Sequence, residues 1–178
     1  MRNLTLHKFL AMLLMTVSSA TLSVAQNVAK NVAKIGTTEY ATLKAAVYDA
    51  TAGQTVVTLI NDVDLTTDDE LEVGKLQDIV LDMNGHSIKG ANANHKNICV
   101  SGKLTLKDSK ENSTGKIYAE TPYQDGVYDK PLVEVINDGE FVMESGHINS
   151  VPAGNHQFVI GAYYNSKVTI NGGTIESE

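Results

Sequence analysis

The sequence predicts an all-β solenoid of stacked strands, opened by one short α-helix. A repeated pattern carries this prediction: a strand of alternating apolar and polar residues, a polar or glycine corner, and a further apolar residue. The pattern occupies residues 79–88, 140–148 and 167–175, and a fourth copy at 103–117 has a longer corner. Such a unit buries little surface alone, so its copies must stack on one another.

Alternation with period two gives each strand an inner and an outer face. The side chains expected inside the coil are Leu81, Met83, Leu104, Leu106, Phe141, Met143, Val168 and Ile170. The residues interpreted as equivalent corners are Gly85, Asp108, Ser145 and Gly172, which lie 23, 37 and 27 positions apart. The repeat is therefore constant in shape, whereas its loops vary in length.

The start of the chain has the pattern of an export signal. Arg2 and Lys8 give it a positive start, residues 9–22 are mostly apolar, and residues 23–25 are of the kind that a signal peptidase accepts. The alternative, a membrane anchor, needs about 20 apolar residues, whereas Ser and Thr interrupt this run. Residues 1–25 are therefore interpreted as a signal peptide, and we expect a secreted or cell-surface protein without membrane insertion after cleavage.

The remaining sequence is expected to form one domain. Residues 26–54 are interpreted as a lead-in, either a mobile arm or a first edge strand, followed by an N-terminal capping helix. Apolar residues at helical spacing predict this helix over about 41–52, with Gly53 as its stop signal. Residues 55–178 are interpreted as β-helix rungs. A helix in this position would cover the open end of the first rung.

The sequence ends inside a repeat, at residues 172–178, without an atypical closing segment. A solenoid needs both ends covered. We therefore expect rungs that are truncated at the C-terminus, so that the chain is the N-terminal part of a longer protein, or else end-to-end self-association.

Charge and cysteine content narrow the classes of partner. The formal net charge is −7, which becomes −9 when the two basic leader residues are removed. A field of this sign disfavours nucleic acid and anionic membranes as partners. Cys99 is the only cysteine, so it has no intramolecular disulfide partner, and its apolar neighbours predict a small core residue.

Three segments of the chain resemble one family of proteins. They are residues 40–47, 53–56 and 81–88, which read YATLKAAV, GQTV and LDMNGHSI. Together they resemble the opening of the right-handed parallel β-helix proteins of the pectin-lyase-like superfamily, and more narrowly the N-terminal part of bacterial secreted adhesin-like β-helix repeat proteins. The resemblance covers the chain from about residue 35 onward. It implies a right-handed parallel β-helix with three sheets per turn, in a superfamily that holds lyases, hydrolases, adhesins and non-catalytic repeats.

The resemblance invites a search for catalytic residues, and the sequence assigns none. Lyases of the superfamily generally pair a carboxylate-bound calcium with a basic residue, often Arg, whereas the only Arg here is Arg2 in the leader. The related hydrolases need a close set of aspartates. The aspartates in this chain fall in separate loops or corners: Asp108, Asp125, Asp129 and Asp138. A non-catalytic protein is therefore preferred to an enzyme.

No metal site or cofactor is predicted, although calcium was weighed. The acidic stretch at 61–70 has oxygen ligands for calcium, but it lacks the glycine-punctuated spacing of a calcium loop, so a solvated turn is preferred. His95 and His156 are expected at comparable corners two rungs apart, about 10 Å at about 4.8 Å per rung. That distance is too long for them to share a metal ion.

The aromatic excursion in the second half of the chain is the best binding candidate. Its tyrosine rings can cover the apolar faces of sugars, its amides and carboxylates can bind hydroxyls, and loops of a solenoid commonly form its binding face. The alternative is a folded-back loop whose tyrosines pack on the flank of the coil. The candidate binding residues are Tyr118, Tyr123, Gln124, Asp125, Tyr128 and Asp129.

These patterns predict an exported, non-catalytic β-helix repeat protein that serves cell-surface adhesion or glycan binding. Its expected partners are glycans or host or cell-surface ligands. The alternative is a polysaccharide lyase or glycoside hydrolase of the pectin-lyase-like superfamily that acts on acidic polysaccharide.

Overall fold

The protein is a β-solenoid of about four turns with one short helix among its described residues. A computed structural model describes residues 30–51, 53–65, 70–90, 98–119, 131–150 and 159–177. The predicted fold class is thereby confirmed at the level of stacked parallel strands, whereas its right-handedness stays a prediction. The export signal at residues 1–25 lies outside the described residues.

Sixteen described strands and one helix follow one another in a regular order. The first part comprises β1 (Ala33–Ile35), β2 (Thr38–Tyr40), α1 (Leu43–Asp49), β3 (Gly53–Leu59), β4 (Val63–Asp64), β5 (Leu71–Val73), β6 (Gln77–Asp82), β7 (Ile88–Lys89) and β8 (Ile98–Val100). The second part comprises β9 (Lys103–Lys107), β10 (Lys116–Ala119), β11 (Val133–Val135), β12 (Glu140–Met143), β13 (His147–Ser150), β14 (Ile160–Ala162), β15 (Lys167–Ile170) and β16 (Thr174–Ser177).

Three sheets run along the solenoid. The seven-stranded sheet has the order β15-β12-β9-β6-β3-β1-β2, the five-stranded sheet β16-β13-β10-β7-β4, and the four-stranded sheet β14-β11-β8-β5. From β3 onward the chain visits the three sheets in turn, so each turn, here called a rung, adds one strand to each sheet. All pairs between rungs are parallel, whereas β1 is antiparallel to both β2 and β3. Residues 33–40 therefore form an antiparallel hairpin at the edge of the seven-stranded sheet.

Side chains of equal position stack in columns because the rungs pair in register. One inner column of the five-stranded sheet is aliphatic throughout: Val63, Ile88, Ile117, Ile148 and Ile175. Alternation sends the flanking residues to the outer face. Burial of these columns from water is the main stabilising term of the fold.

The predicted inner residues are correct for the middle rungs and wrong for the last one. Leu81, Met83, Leu104, Leu106, Phe141 and Met143 are at most 1% exposed. Val168, in contrast, is only partly buried, and Ile170 is 45% exposed. The physical reason is that β15 is an edge strand, and no strand of the described residues stacks on its outer side.

The corner equivalence proposed from the sequence is wrong for one rung. Leu81 pairs with Leu106, and Leu106 pairs with Met143. The residue equivalent to Asp108 in the preceding rung is therefore Met83, two positions before Gly85. A slip of two residues leaves every side chain on its own face, so alternation alone does not detect it.

Helix α1 is shorter than predicted, because it ends at Asp49 rather than near residue 52. Thr42 caps its start by accepting a hydrogen bond from the Ala45 backbone at 3.1 Å. Leu43, Ala46 and Val47 form its buried face, against the first rung. Gly53 does not stop the helix; it begins β3 with a φ of +100°, a conformation that favours glycine.

Four connections join a strand of the five-stranded sheet to the next strand of the four-stranded sheet, and they contain residues 66–69, 91–97, 120–130 and 151–158, which lie outside the described residues. The connections from the seven-stranded to the five-stranded sheet also differ in length: residues 108–115 lie between β9 and β10, whereas residues 144–146 lie between β12 and β13. Connections of different lengths therefore occur at more than one corner of the solenoid.

Candidate functional site

Only one of the six predicted binding residues lies in the described part of the chain. Tyr118 is in β10, two residues before the connection of residues 120–130. Tyr123, Gln124, Asp125, Tyr128 and Asp129 lie outside the described residues. The site is therefore built from Tyr118 and its neighbours on the sheet.

Tyr118 stands in the middle of an outer column of the five-stranded sheet. Lys89 on β7 and Asn149 on β13 pair with it in register on either side. The column continues to Asp64 at one end and Glu176 at the other. Strand spacing of about 4.8 Å therefore places a lysine and an asparagine on either side of Tyr118 in the column.

A second outer column lies beside the first and adds two polar groups. Lys116 precedes Tyr118 by two residues on the same face, and its Nζ lies 4.4 Å from the centre of the Tyr118 ring. His147 pairs with Lys116 in the next rung. A cation over the ring is attracted by the electrons of the aromatic face and restrains the ring. We call Lys89, Lys116, Tyr118, His147 and Asn149 the Tyr118 face.

Asn149 brings an acceptor with unused capacity to this face. Its Oδ1 is shielded from solvent and has no hydrogen-bond partner among the described residues. Buried amide oxygens of folded proteins nearly always accept a hydrogen bond, from protein, water or ligand. Among the residues of this face, Asn149 therefore has an acceptor that the described protein does not use.

The carboxylates at the corner after β6 and β9 serve the backbone. Asp108 Oδ1 accepts hydrogen bonds from the backbone of Gly85 at 2.8 Å and Lys110 at 3.0 Å, and its Oδ2 accepts one from Gly115 at 2.6 Å. In the preceding rung, Asp82 Oδ1 accepts from Asn84 and Ser109 at 3.0 Å each. Both aspartates are buried, so the corner uses them to satisfy backbone N–H groups that would otherwise lack an acceptor.

The acidic stretch at residues 61–70, considered as a calcium site, also makes contacts within the protein in its described part. Asp62 Oδ1 accepts a hydrogen bond from the Ser87 backbone at 2.9 Å and lies 3.6 Å from His86 Nδ1. His86 thus lies at the corner between β6 and β7. Residues 66–69 of this stretch, and the histidines at 95 and 156, lie outside the described residues.

Cys99 is buried, as predicted, but it belongs to an outer column. It pairs with Glu72 on one side and Glu134 on the other, between the inner columns of the four-stranded sheet. One ligand atom each from Glu70, Cys99 and Glu134 lies within 4.8 Å of the other two. A thiolate with two carboxylates can ligate a divalent ion such as zinc, and each of these residues also has another interaction in the protein. The sequence showed no sign of this grouping, because it depends on the register.

Two shallow cavities among the described residues lie away from the Tyr118 face. One, of about 300 Å³, is next to the capping helix and is lined by Lys44, Tyr48, Glu72, Gly74 and Gln77. The other, of about 360 Å³, runs along the corner that leads from the four-stranded to the seven-stranded sheet. The helical part of the described chain contains no segment with the length and apolar character of a membrane span.

Comparisons with protein-family models, with curated proteins and with solved structures found no match to this chain. The fold and the Tyr118 face therefore carry the functional argument. The sequence did not identify two residues of this face, Lys89 and Asn149. Long stretches of chain separate both of them from Tyr118. Only the register of the rungs brings them together.

Proposed function

We propose that this protein is an exported, non-catalytic β-solenoid that binds glycans at a cell surface through the Tyr118 face. The observation that carries the proposal is the grouping of a tyrosine ring, two lysines, an imidazole and an amide on one outer sheet surface. Rings offer an apolar surface to sugar rings, while amides and ammonium groups bind hydroxyls and carboxylates.

The charge of the Tyr118 face favours glycans that carry carboxylate groups. Lys89 and Lys116 flank the ring in a protein whose net charge is −7, and Lys116 is exposed. A local cationic surface on an acidic protein attracts anionic ligands at short range, because the opposing field is screened beyond about 8–10 Å. Acidic polysaccharide is thus the preferred class of ligand.

The corner aspartates support a non-catalytic role. A general acid or base must be free to exchange a proton with substrate, whereas both oxygens of Asp108 accept from backbone N–H groups. In the preceding rung, Asp82 Oδ1 also accepts from backbone N–H groups, and its Oδ2 lies 3.5 Å from Lys107 Nζ. These two carboxylates therefore stabilise the coil.

The resemblance to secreted adhesin-like repeat proteins of the pectin-lyase-like superfamily agrees with this proposal. It rests on the segments at residues 40–47, 53–56 and 81–88. The superfamily that it points to includes adhesins and non-catalytic repeats as well as polysaccharide lyases and hydrolases. The export signal at residues 1–25 would bring the protein to such ligands.

The test is a glycan array probed with the exported form of the chain and two variants. Tyr118→Ala is expected to weaken binding to acidic glycans by about tenfold or more, equal to about 1.4 kcal/mol. Tyr164→Asn is the matched control, because Tyr164 is 76% exposed on a turn with a φ of +55°, which Asn tolerates. Its binding should equal that of the unaltered chain.

Three results would contradict the proposal. Binding that survives Tyr118→Ala but is lost in a Tyr123→Ala/Tyr128→Ala double variant would move the site to the connection after β10. New reducing or unsaturated ends in pectin, abolished by changing one Asp or Lys, would make the protein the alternative polysaccharide lyase or hydrolase. Absence of any glycan binding would leave a structural module.

A further inference from the structure

One turn at the corner between the four-stranded and the seven-stranded sheet is shorter than its neighbours. Three successive turns at this corner begin and end at residues that pair in register, and they join Val73 to Asp78, Val100 to Lys103 and Val135 to Glu140. Four residues lie between these ends in the first and third turns, whereas only Ser101 and Gly102 lie between them in the second. The middle turn therefore leaves a notch, here called the Gly102 notch, and the two longer turns form its walls.

Backbone contacts hold the Gly102 notch in shape. Gln77 donates its backbone N–H to the Gly74 carbonyl at 2.9 Å in one wall, and Gly139 donates to the Ile136 carbonyl at 2.9 Å in the other. A side chain at Gly102 would clash with the carbonyl oxygens of Gly74 and Gln77, so the floor at this position is bare backbone. The notch is therefore formed by the fold itself.

The notch has a size and polarity that suit a small ligand. Its volume is about 360 Å³, at the lower end of the range of about 300–1,000 Å³ for ligand pockets. Its lining includes the ammonium-bearing Lys75 and Lys103, the carboxylate-bearing Asp78 and Asp138, and Asn137, whose amide both donates and accepts. The lining therefore offers donors as well as acceptors, a combination that matches hydroxyl groups, which are both.

The charges of this lining come close to cancelling. It contains two lysines and three acids, the third acid being Glu140. Glu140 is already offset by Lys167, whose Nζ lies 3.3 Å from its Oε1. The notch thus favours a neutral ligand, in contrast to the Tyr118 face, which favours an acidic one.

Two side chains of the notch indicate the kind of neutral ligand. Asp78 Oδ1 is shielded from solvent and has no hydrogen-bond partner among the described residues, although such oxygens nearly always accept a hydrogen bond. Leu76, on the first wall, is 86% exposed. An exposed apolar side chain beside hydrogen-bonding groups suits a sugar ring, which has apolar C–H faces as well as hydroxyls.

We propose that the Gly102 notch is a second carbohydrate site, which holds one neutral hexose ring. The walls are two rungs apart, about 10 Å at about 4.8 Å per rung, so the gap left by the short middle turn admits a single ring. Leu76 covers one face of this ring, while Asp78 and Asp138 accept hydrogen bonds from its hydroxyls. The notch and the Tyr118 face differ in place and in the charge of their ligands, so neither depends on the other.

Saturation-transfer NMR of the full chain with methyl glucoside, methyl galactoside and methyl mannoside tests this site. At least one of the three should bind, whereas glucuronate should bind more weakly, because the carboxylates of the notch repel it. Leu76→Ser and Asp78→Ala should each raise the dissociation constant by about fivefold or more. Leu76 is too exposed to stabilise the fold, and circular dichroism checks the fold of the Asp78 variant.

An insertion variant fills the notch directly. Asn-Asp inserted between Ser101 and Gly102 gives the middle turn the length of the turn after Val135 and should abolish binding. Glu111→Gln is the control, because Glu111 is exposed at another corner of the solenoid and the change removes one negative charge, as Asp78→Ala does. Its binding should equal that of the unaltered chain.

Four results would overturn the notch as a site for neutral hexoses. They are the absence of binding by all three glycosides, tighter binding of glucuronate than of any of them, unaltered binding by both Leu76→Ser and Asp78→Ala, and binding that survives the insertion. None of these variants changes the Tyr118 face, so the glycan array with Tyr118→Ala tests the proposed function separately.

Discussion

Gln77, the first residue of β6, donates its side-chain amide to the backbone carbonyl of Val47 at 2.6 Å. The same amide nitrogen reaches the Ala50 carbonyl at 3.0 Å, and the Gln77 Oε1 accepts from the Gly74 backbone at 2.8 Å. The last carbonyl groups of a helix have no partner within the helix. A side chain from the second rung therefore caps the C-terminus of α1 and fixes it to the coil.

Replacing Gln77 with Ala should lower the free energy of unfolding by about 1–3 kcal/mol, because the Ala50 carbonyl loses the side-chain donor and the Val47 carbonyl keeps only the Ala50 backbone N–H, at 3.3 Å. The measurement is urea unfolding followed by circular dichroism. Gln54→Ala is the matched control, since Gln54 is an exposed residue of the neighbouring strand β3, and should change stability by less than about 0.5 kcal/mol. Equal effects of the two substitutions would contradict the capping role.

Asp108 provides a second stability test with a graded outcome. Asp108→Ala removes the acceptor of three backbone N–H groups and should cost about 3 kcal/mol or more. Asp108→Asn keeps an oxygen for Gly85 and Lys110 but turns a donor toward the Gly115 N–H, so it should cost about half as much. Denaturant unfolding of both variants measures the difference. An Asn variant as unstable as the Ala variant would contradict a contribution from the hydrogen bonds to Gly85 and Lys110, since Asn keeps the shape of Asp and the oxygen that accepts them.

Ile148 and Ile175 occupy the same inner column in successive rungs, but Ile148 is fully buried and Ile175 is 39% exposed. Ile148→Ala should cost about 2–5 kcal/mol through lost burial and the cavity left behind. Ile175→Ala should cost less than half of that in the monomer, since its side chain is already partly in water. Unfolding experiments at low protein concentration compare the two. A similar cost at both positions would mean that the last rung is covered.

The sequence predicted which face of each strand is buried more accurately than which residues pair between rungs. Period-two alternation identified the inner residues of the middle rungs, because burial of one face is a local property of each strand. It mistook Gly85 for the equivalent of Asp108, because a register slip of two conserves that property. It placed the helix stop at Gly53, because the capping by Gln77 comes from 27–30 residues further along the chain.

The candidate site shows the same difference between a residue recognised within its own strand and residues brought together by strand pairing. Tyr118 was identified from its residue type and its place before an excursion. Lys89, His147 and Asn149 were not associated with it, because connections of different lengths separate their strands and only the pairing of β7, β10 and β13 aligns them. Cys99 was correctly expected to be buried, yet its glutamate neighbours follow from register alone.

Gly102 and Gly74 lie at the same corner of successive rungs and differ in the room they have. A Cβ at Gly102 would lie 2.2 Å from the Gly74 carbonyl oxygen and 2.6 Å from that of Gln77, whereas a Cβ at Gly74 would meet nothing nearer than 3.5 Å. Gly102→Ala should therefore push two backbone segments apart and cost about 2 kcal/mol or more. Gly74→Ala should be nearly neutral. Thermal unfolding measures the stability of the two variants. A Gly102→Ala variant of unaltered stability would contradict the close approach of the backbone segments at Gly102.

Tyr40 and Asp49 give a prediction for alkaline pH. The Tyr40 hydroxyl donates to Asp49 Oδ2 at 2.8 Å, and this hydrogen bond raises the pKa of Tyr40 above its usual 10.0. The folded state thus holds this proton more tightly than the unfolded state. The bond's contribution to stability is complete below pH 10.0 and is lost as pH rises through the raised pKa.

Ultraviolet titration of the phenolate measures this shift as the difference between the chain and Tyr40→Phe. Asp49→Ala should return the pKa of Tyr40 toward 10.0, since it removes both the acceptor and the nearby negative charge. Ionisation of Tyr40 at its usual pH in the unaltered chain would contradict the hydrogen bond.

The in-register pairing of strands across connections of different length has an evolutionary consequence. The connections that contain residues 66–69, 91–97, 120–130 and 151–158 differ in length, and so do those at 83–87 and 108–115, yet the strands on either side of each keep their register. A change in the length of such a connection therefore leaves the stacked columns unchanged. Selection can alter these connections in length as well as composition while the rungs are kept.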